Sequence, residues 1–399
     1  MPNGIIADAH LNPERNMKSL FNMKYLATVI FAFVTVGFLA FVAFNISFLN
    51  PISRVMNDFS FTDIYYQILS LQGKQETTVG ITLIDMTDVY DRKDIAKSIA
   101  DIERYNPKAI GVDIVFEGLL DNPEGNDSLV SVASGNKNII YSYRLADYID
   151  EDTGYATDIH SFFTDFISVR EGYTNMERNL YGGMKRKLSL KSKVNGEWMP
   201  SFITEVVNEY AGGGMANIDG EMLDINFMPV DFAKIDVNAI HRHPEIITNR
   251  IVLLGAMHEE SDMHYTPIGK MAGMELLAYS IRTMIDYREL RHVPTYLFWT
   301  ITFMLVYVTS LWNDKLVKRS KRLHNKYLRG ILSSSYFVSV VTFLWMAFLT
   351  LVAFVLFCKY NINFSLGWAF ATMACLEISK DLYEACLNIF GNAANNKSY

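Results

Sequence analysis

Hydrophobic residues are concentrated in two blocks near the ends of the chain, and a long segment of mixed polarity separates them. Residues 25–49 include no charged side chain. As a helix they would span about 37 Å, which is enough to cross a bilayer with some tilt. The run is too long for the apolar part of a signal peptide, and no small-residue cleavage site follows it closely, since the next residues are Asn50, Pro51 and Ile52. The pattern therefore predicts a transmembrane helix near the N-terminus.

The second block contains three further apolar segments. They comprise residues 294–313, 331–358 and 364–379. The first opens at Pro294 and is edged by aromatic residues, as is common where a helix meets a membrane surface. The third has only about 15 apolar residues, a length that also fits a re-entrant or interfacial helix. We expect an all-helical membrane part with one span before the central segment and about three after it.

Basic residues between the apolar segments predict the orientation of the chain. Residues 314–330 carry one acid, Asp314, among many basic side chains. These are Lys315, Lys318, Arg319, Lys321, Arg322, Lys326 and Arg329. Short basic loops stay on the cytoplasmic side of the membrane. Segments 1–24 and 380–399 are then also cytoplasmic, and the basic residues Arg15, Lys18 and Lys24 of the first segment agree with this. Residues 50–291 are expected to lie outside the cytoplasm.

The central segment alternates between strand-like and helix-like patterns. Residues 79–85 and 108–116 are apolar runs, and residues 91–106 between them place isoleucines at helical spacing. This order predicts a βαβ unit with a parallel pair of strands. Further strands are predicted at 138–144, 222–227 and 250–255, helices at 201–211 and 273–287, and a hairpin at 184–200 around Asn195-Gly196. Residues 50–291 are expected to form an α/β domain with a mostly parallel or mixed sheet and flanking helices.

Composition agrees with a membrane part joined to one large domain. Half of the 399 residues are hydrophobic, and the mean hydropathy of +0.11 lies between values typical of soluble enzymes and of transporters. The formal charge of −7 argues against a nucleic-acid partner, because the only basic cluster lies between two predicted spans. Cys358, Cys375 and Cys386 all fall in the C-terminal apolar block, so the central domain depends on a hydrophobic core rather than on disulfides.

The stretch 251–269 has residues that resemble a metal site. His258 and His264 lie among several acids after an apolar strand, but Asp262 stands where an HExxH motif would need its second histidine. Gly255 ends the strand, so a loop is expected here rather than a helix. We expect no physiological metal and no cofactor, although such a pair could bind a metal adventitiously. The histidine pair in 241–245 is expected to lie in a solvated loop.

Motifs that signal catalysis are absent from the sequence. There is no G-x-S-x-G nucleophile elbow, and no G-x-G-x-x-G follows a strand. The glycine-rich run at 211–215 lacks the lysine and hydroxyl residue of a phosphate-binding loop. The sequence therefore does not predict an enzyme.

Acidic residues follow three of the predicted strands. Asp85 ends the first, Asp113 and Glu117 follow the second, and Asp262 lies in the loop after the last. If these strands are parallel and adjacent, all four acids lie at the edge where ligands bind in open α/β sheets. The alternative is that they cap the following helices or bond local backbone groups. Both interpretations remain open from the sequence.

Several segments, taken in order, resemble the CHASE2 family of extracytoplasmic sensory domains of bacteria. The matching pieces are "FTDIYYQIL" (61–69), "ITLIDMTD" (81–88), "YNPKAIGVDIVFEG" (105–118), "EGYTN" (171–175), "DINF" (224–227) and the stretch from Ile251 to Ile285. Asp262, Thr266 and Pro267 fit the pattern of that last stretch, so Thr266 joins the four acids as a candidate ligand-binding residue. The resemblance covers roughly residues 50–290 and implies one membrane helix before the domain and about three after it.

The resemblance implies a sensor, and the chain departs from the usual family organisation in one respect. Family members usually carry a cytoplasmic kinase or cyclase, whereas the last apolar segment is followed here by residues 380–399, which end in "NIFGNAANNKSY". We expect a multi-pass protein of the bacterial inner membrane that binds an unknown extracytoplasmic ligand. We expect it to relay the signal to a separate membrane or cytoplasmic protein, and the sequence is also compatible with a homo-oligomer. The alternative is a structural subunit of an envelope assembly. A formed pocket at the acidic edge favours the first, and a large exposed apolar patch favours the second.

Overall fold

The computed structural model describes residues 23–45, 60–73, 80–135, 137–176, 183–213, 220–286 and 289–395. Contacts divide the chain into two units, which we describe separately. The helical unit comprises Met1–Phe61 and His292–Tyr399, and the sheet unit comprises Thr62–Arg291. The sheet unit corresponds closely to the predicted central domain. Nearly all of the predicted segment 1–24, residues 46–49 of the first predicted span and the last residues of the segment 380–399 lie outside the described residues.

Eleven helices and fifteen strands are formed by the described residues. The helices are α1 (Met23–Asn45), α2 (Phe61–Leu71), α3 (Arg92–Glu103), α4 (Pro123–Gly135), α5 (Phe202–Tyr210), α6 (Gly273–Ile285), α7 (Thr295–Ser320), α8 (Lys326–Leu332), α9 (Ser335–Tyr360), α10 (Gly367–Ala374) and α11 (Leu376–Asn395). The strands are β1 (Ile81–Asp85), β2 (Ala109–Val112), β3 (Ile139–Asp150), β4 (Gly154–Ile159), β5 (Arg170–Tyr173), β6 (Lys187–Ser189), β7 (Lys191–Val194), β8 (Glu197–Pro200), β9 (Met222–Asp224), β10 (Ala233–Asp236), β11 (Ile251–Gly255), β12 (Met263–Thr266), β13 (Gly269–Ala272), β14 (Arg291–His292) and β15 (Ile362–Asn363).

A nine-stranded mixed sheet forms the centre of the sheet unit. Its order is β10-β1-β11-β2-β3-β4-β7-β8, with β5 also paired to β3. The first five strands of this order are parallel, and the pairs β3–β4 and β7–β8 are antiparallel. The predicted α/β class with a mixed sheet is confirmed. β1 and β2 run parallel in this sheet, as the predicted βαβ unit requires, but they are not direct neighbours, because β11 lies between them and pairs with both.

Helices cover both faces of the parallel part of the sheet. Alternate strand residues, such as Ile84 and Val112, pack with Ile99 of α3 in one buried cluster that also includes residues of α4. On the opposite face Gly111 lies directly against Phe202 and Val206 of α5, and α6 contacts β1 and β11 on the same side as α5. Because the parallel strands are covered on both sides, they consist of almost continuous apolar residues.

The helix predicted within 91–106 and the turn predicted at Asn195-Gly196 are both formed. Helix α3 begins after Asp91, whose side chain accepts a hydrogen bond from the backbone N–H of Lys93, as expected of an N-cap. Asn195 and Gly196 have φ values of 49° and 86°, as the central residues of a type I′ turn require. The hairpin they join is β7–β8, which is shorter than the predicted 184–200 because β6 pairs with β9 instead.

Three helices of the described residues are long and apolar enough to cross a membrane. They are Met23–Val42, Thr295–Ser320 and Ser335–Tyr360. The second continues past the predicted end at residue 313, so the basic segment 314–330 is mainly helical rather than an open loop. The predicted fourth span, 364–379, is not one continuous helix. It divides at Cys375 into α10 and α11, and the eight residues of α10 extend only about 12 Å.

Polar contacts connect helices within the helical unit. Lys24 of α1 lies 2.8 Å from the carboxylate of Glu384 in α11. Asp314 of α7 accepts a hydrogen bond from Tyr25 of α1 and lies 2.5 Å from Lys318 one turn later. Lys24 and Tyr25 lie at the start of α1, and Asp314 and Lys318 lie in the last turns of α7, so the middle of these two helices keeps its apolar character.

Candidate functional site

A cavity of about 810 Å³ lies at the carboxyl ends of the parallel strands in the sheet unit. The three acid-bearing strands, β1, β11 and β2, are adjacent and parallel, as the prediction of a common edge required. Loops that follow them form most of the wall, together with residues of α3, β3 and α6. Among the predicted site residues, those that line the cavity are Asp113, Glu117 and Asp262. This is the position at which open α/β sheets bind ligands.

Asp113 follows the last residue of β2 and remains held by the sheet. Its backbone N–H donates to the carbonyl of Leu254 at 2.8 Å. A Cβ added to Gly255 would lie 3.3 Å from the Cβ of Asp113, so the glycine at the end of β11 leaves room for the aspartate. No cation pairs with the Asp113 carboxyl among the described residues, and the only side-chain hydroxyl beside it is that of Ser142. Its oxygens are therefore left to the cavity.

Ser142 of β3 lines the same cavity and is fully buried. Its Oγ has no partner in hydrogen-bonding geometry among the described residues, although the hydroxyl lies close enough to Asp113 to influence its titration. A buried hydroxyl without a partner costs free energy, about 1–3 kcal/mol. The cavity therefore has an unfilled polar position beside an uncompensated carboxyl group.

Burial raises the pKa of Asp113 from 3.8 to about 7, because a low-dielectric environment disfavours the charged carboxylate. The negative charge of Asp262 adds to this rise, and the hydroxyl of Ser142 partly opposes it. Asp113 consequently exchanges its proton near neutral pH. Strongly shifted carboxyl groups in a cavity are a common feature of functional sites.

Asp262 combines both roles that the sequence left open. It ends a short 3₁₀ turn after β11, and its Oδ2 accepts from the backbone N–H of Gly273, the first residue of α6, at 3.2 Å. A Cβ on Gly273 would come within 2.6 Å of the carboxylate oxygens, so this glycine allows the close approach. The same carboxylate lies 3.3 Å from Nε2 of His264. Asp262 thus stabilises the start of a helix while it lines the cavity.

The two arginines of the cavity wall already have anionic or carbonyl partners. Arg144 of β3 forms an ion pair with Glu117. Arg92 of α3 donates to the carbonyl of Glu117 at 3.0 Å and to Oδ1 of Asn126 at 2.6 Å, and its guanidinium lies 4.7 Å from the centre of the Phe162 ring. Burial lowers the pKa of Arg92. Glu117 therefore holds both arginines in place.

Asp85 and Thr266 do not line the cavity, and both bond local groups. Oδ1 of Asp85 accepts from the backbone N–H of Thr87 at 3.0 Å and from that of Met257 at 3.3 Å. These bonds join the loop after β1 to the loop after β11. The hydroxyl of Thr266 donates to the carbonyl of Gly269 at 2.7 Å in the turn of the β12–β13 hairpin. Their positions correspond to the local-bonding alternative.

The two histidines of the 251–269 stretch lie near different acids. Nε2 of His258 is 3.3 Å from Asp85, and Nε2 of His264 is 3.3 Å from Asp262. No group of three or more histidine, cysteine or acidic side chains with metal-binding geometry occurs in the described part of the chain. The expectation about a physiological metal remains a prediction.

Four residues important for the cavity were not identified from the sequence. Arg92, Ser142 and Arg144 belong to no recognised motif. The only signal for Ser142 and Arg144 was their location near the end of a predicted strand. Asn175 lies in the "EGYTN" segment, where its side-chain amide accepts from Leu145 N–H at 2.5 Å and donates to Leu145 C=O at 2.8 Å. This pair of bonds fixes the loop that closes one side of the cavity.

Comparison with known proteins decides the family. The model of the CHASE2 domain matches residues 34–312, which is well over half of the chain. The chain belongs to the CHASE2 family. CHASE2 domains are sensory domains that are typically extracellular. Neither a curated protein nor a solved structure showed significant similarity to the chain.

The CHASE2 match includes every residue that lines the cavity. It also extends into α1 at its start and into α7 at its end. The cavity therefore belongs to the sensory domain itself, in a chain with three helices apolar enough to cross a membrane among its described residues.

Proposed function

We propose that this CHASE2 protein is a multi-pass sensor of the bacterial inner membrane that binds an extracytoplasmic small molecule in the cavity beside Asp113. The sensor relays the binding event to a separate membrane or cytoplasmic protein. The observation that carries the proposal is the formed cavity at the carboxyl ends of β2 and β11, with a carboxyl group in it that has no cationic partner among the residues that the structure describes.

Cavity size supports small-molecule recognition. Sites for small molecules commonly have volumes of about 300–1,000 Å³, and the cavity of the sheet unit has about 810 Å³. A structural subunit of an envelope assembly would need a docking surface but not a cavity with an unpaired acid. The alternative role is therefore less well supported by the described residues.

The distribution of charge supports the proposed orientation. Helix α7 ends with Lys318 and Arg319, and the following segment to residue 330 carries further basic residues. Because short basic segments remain in the cytoplasm, the start of α7 and the sheet unit that precedes it in the chain are assigned to the opposite side.

Helix α6 offers a route for the signal. Asp262 caps the N-terminus of α6, and Leu277 of the same helix lines the cavity. In the chain, α6 is the last helix before the apolar helix α7. A ligand that binds one arrangement of the Asp262 loop more tightly than another favours the position of α6 that accompanies that arrangement. The shift cannot exceed the difference between the two binding free energies, which is typically about 1–3 kcal/mol.

The test compares Asp113→Asn and Asp262→Asn in the full-length protein with Asp152→Asn, which changes an exposed acid in the β3–β4 turn. Each variant is solubilised in detergent and used to recover partner proteins, and the protease resistance of the sheet unit is measured in parallel. We expect all three to insert and resist protease, and only the two cavity variants to change the partner's recovery or activity.

Two results would count against the proposed function. If the cavity variants recover the partner and support its activity as the wild type does, the cavity has no role in the relay. If either cavity variant becomes protease-sensitive while Asp152→Asn does not, the acids serve the fold rather than ligand binding.

A further inference from the structure

The charges that line the cavity are compensated unequally. The acidic side chains of the wall are Asp113, Glu117, Glu259 and Asp262, and the basic ones are Arg92, Arg144 and His264. Arg144 is neutralised by Glu117, and Arg92 is held by a carbonyl, an amide and an aromatic ring. Asp262 has a helix N-terminus and His264 beside it. Glu259 is exposed to solvent. Asp113 has no cationic partner among the described residues, and the neutral hydroxyl of Ser142 is the group beside it that offsets its charge in part.

Ser142 gives a second indication of a ligand. Its hydroxyl is buried next to Asp113 and lacks a partner in hydrogen-bonding geometry among the described residues. Native structures satisfy the large majority of buried polar side-chain atoms, so an unsatisfied one in a cavity wall indicates a group that is not yet present. A hydroxyl and a carboxylate together accept several hydrogen bonds from one donor-rich group.

We propose that the cavity binds an organic ammonium compound, with the ammonium group between the Asp113 carboxylate and the Ser142 hydroxyl and the carbon skeleton against the apolar wall. The ligand class rests on the proposed sensory function of the cavity. An ammonium group carries up to three N–H donors and one positive charge, which match the acceptors and the uncompensated charge at this position. A carboxylate ligand would instead need a free arginine, and both arginines of the wall already have partners.

The dimensions of the cavity favour an organic cation over a metal ion. A divalent ion needs several oxygen or nitrogen ligands at once, and no cluster of three or more candidate metal-binding side chains is present among the described residues. The cavity instead offers room for a carbon skeleton and an apolar wall to receive it. The apolar wall includes Met86, Val89, Ile95, Ile114, Phe116 and Leu277.

Proton exchange at Asp113 provides a signature of this binding mode. The raised pKa means that much of Asp113 is protonated below neutral pH, so an ammonium group must displace that proton to bind. Affinity should therefore rise as the pH increases from about 5.5 to 8 and then level off. Binding at pH 6 should release protons, measured by calorimetry in buffers of different ionisation enthalpy.

The Asp113→Asn variant is needed to assign the proton release to Asp113, because other charged groups also face the cavity. These groups are Asp262, His264, Glu117, Glu259, Arg92 and Arg144.

The experiment uses the full-length protein in lipid nanodiscs with four probes of similar size or charge. They are 2-phenylethylamine, 1,4-diaminobutane, the neutral 2-phenylethanol and the anionic phenylacetate, with magnesium chloride alone as a fifth condition. We expect saturable stabilisation of the protein by at least one amine, and none by the neutral or anionic probes. Asp113→Asn should weaken amine binding about tenfold or more, because it removes one partner of an enclosed charge pair, whereas Asp152→Asn should not change it.

Several outcomes would overturn the ligand class. If phenylacetate or 2-phenylethanol stabilises the protein as much as the amines do, the ligand is not an ammonium compound, but the proposed sensory role of the cavity is retained. Stabilisation by magnesium alone that is lost in Asp113→Asn would identify a metal site. The absence of Asp113-dependent stabilisation by either amine would also reject the proposal. If the cavity variants recover and activate the partner protein as the wild type does, while amine binding still depends on Asp113, the relay is rejected and the ligand class is retained.

Discussion

Asp85 and Asp113 occupy equivalent positions in the sequence pattern but have different environments. Each follows or ends an apolar strand of the same parallel sheet. Asp85 accepts backbone hydrogen bonds from Thr87 and Met257. Burial, with a smaller contribution from the negative charge of Asp262, raises the pKa of Asp113 to about 7. Small differences in the surrounding loops therefore separate a structural acid from a candidate ligand-binding acid.

Replacement of Asp113 should change the pH dependence of stability in a defined direction. The pKa of Asp113 is raised in the folded state from 3.8 to about 7. Folding is therefore favoured by its proton below about pH 4, and this contribution is lost as the pH rises toward 7. Its size is at most about 4 kcal/mol, since each pKa unit corresponds to about 1.4 kcal/mol. We expect Asp113→Asn to be neutral or slightly destabilising at pH 5 and stabilising at pH 8.

Thermal unfolding of the full-length protein in detergent at several pH values measures this effect. Asp152→Asn serves as the control, because its exposed side chain should give the same difference from wild type at each pH. A parallel shift of Asp113→Asn at pH 5 and pH 8 would show that the Asp113 carboxyl is ionised in both conditions, contrary to the expected protonation.

At the scale of elements, close backbone contact sets the position of α5 on the sheet. Gly172 lies in β5, and a Cβ added there would come within 2.5 Å of the backbone N and Cα of Phe202, the first residue of α5. Phe202 is fully buried, and the end of its ring lies against Gly111 of β2. Neither backbone can move away easily because each belongs to a packed element.

Gly172→Ala should therefore destabilise the sheet unit by about 3 kcal/mol or more, since overpacking against backbone atoms cannot be relieved by a side-chain rotation. Gly135→Ala is a matched control, because nothing lies within 4 Å of a Cβ at that helical glycine. It should be neutral or stabilising by up to about 1 kcal/mol. Denaturant unfolding followed by tryptophan fluorescence compares the two variants, and equal effects would contradict the close-contact explanation.

The order of the parallel strands determines which acidic residues meet at the cavity. The cavity forms where β1, β11 and β2 end side by side, and β11 follows the other two strands in the chain by well over 100 residues. Insertion of β11 between β1 and β2 brings Asp262 to the same edge as Asp113. Without this strand order the two acids would not influence each other.

For the whole molecule, the orientation in the membrane is the property that most affects the proposed function. Reporter enzymes fused within 120–240 should report the extracytoplasmic side, and reporters within 315–329 should report the cytoplasm, because the basic residues after Asp314 favour retention there. The measurement uses paired reporters that are active on opposite sides of the membrane. Cytoplasmic activity of the 120–240 fusions would overturn both the sensory orientation and the proposed access of an extracytoplasmic ligand.

The sequence by itself determined the properties that depend on neighbouring residues. Apolar runs predicted the three long helices of the helical unit, and changes between strand and helix periodicity predicted the main strands and helices of the sheet unit. The Asn195-Gly196 turn follows from local backbone preferences, and it was found where the local sequence indicates it. The ordered segments were also enough to indicate the CHASE2 family, which the family match confirms.

Only the tertiary structure decided which of the candidate residues share the cavity. It placed Asp113, Glu117 and Asp262 along one wall, left Asp85 and Thr266 outside it, and introduced the Arg144–Glu117 pair and the buried hydroxyl of Ser142. It also divided the predicted fourth span at Cys375. The physical reason is that burial, charge compensation and strand order depend on groups far apart in the chain, and the periodicity of one segment does not record its distant neighbours.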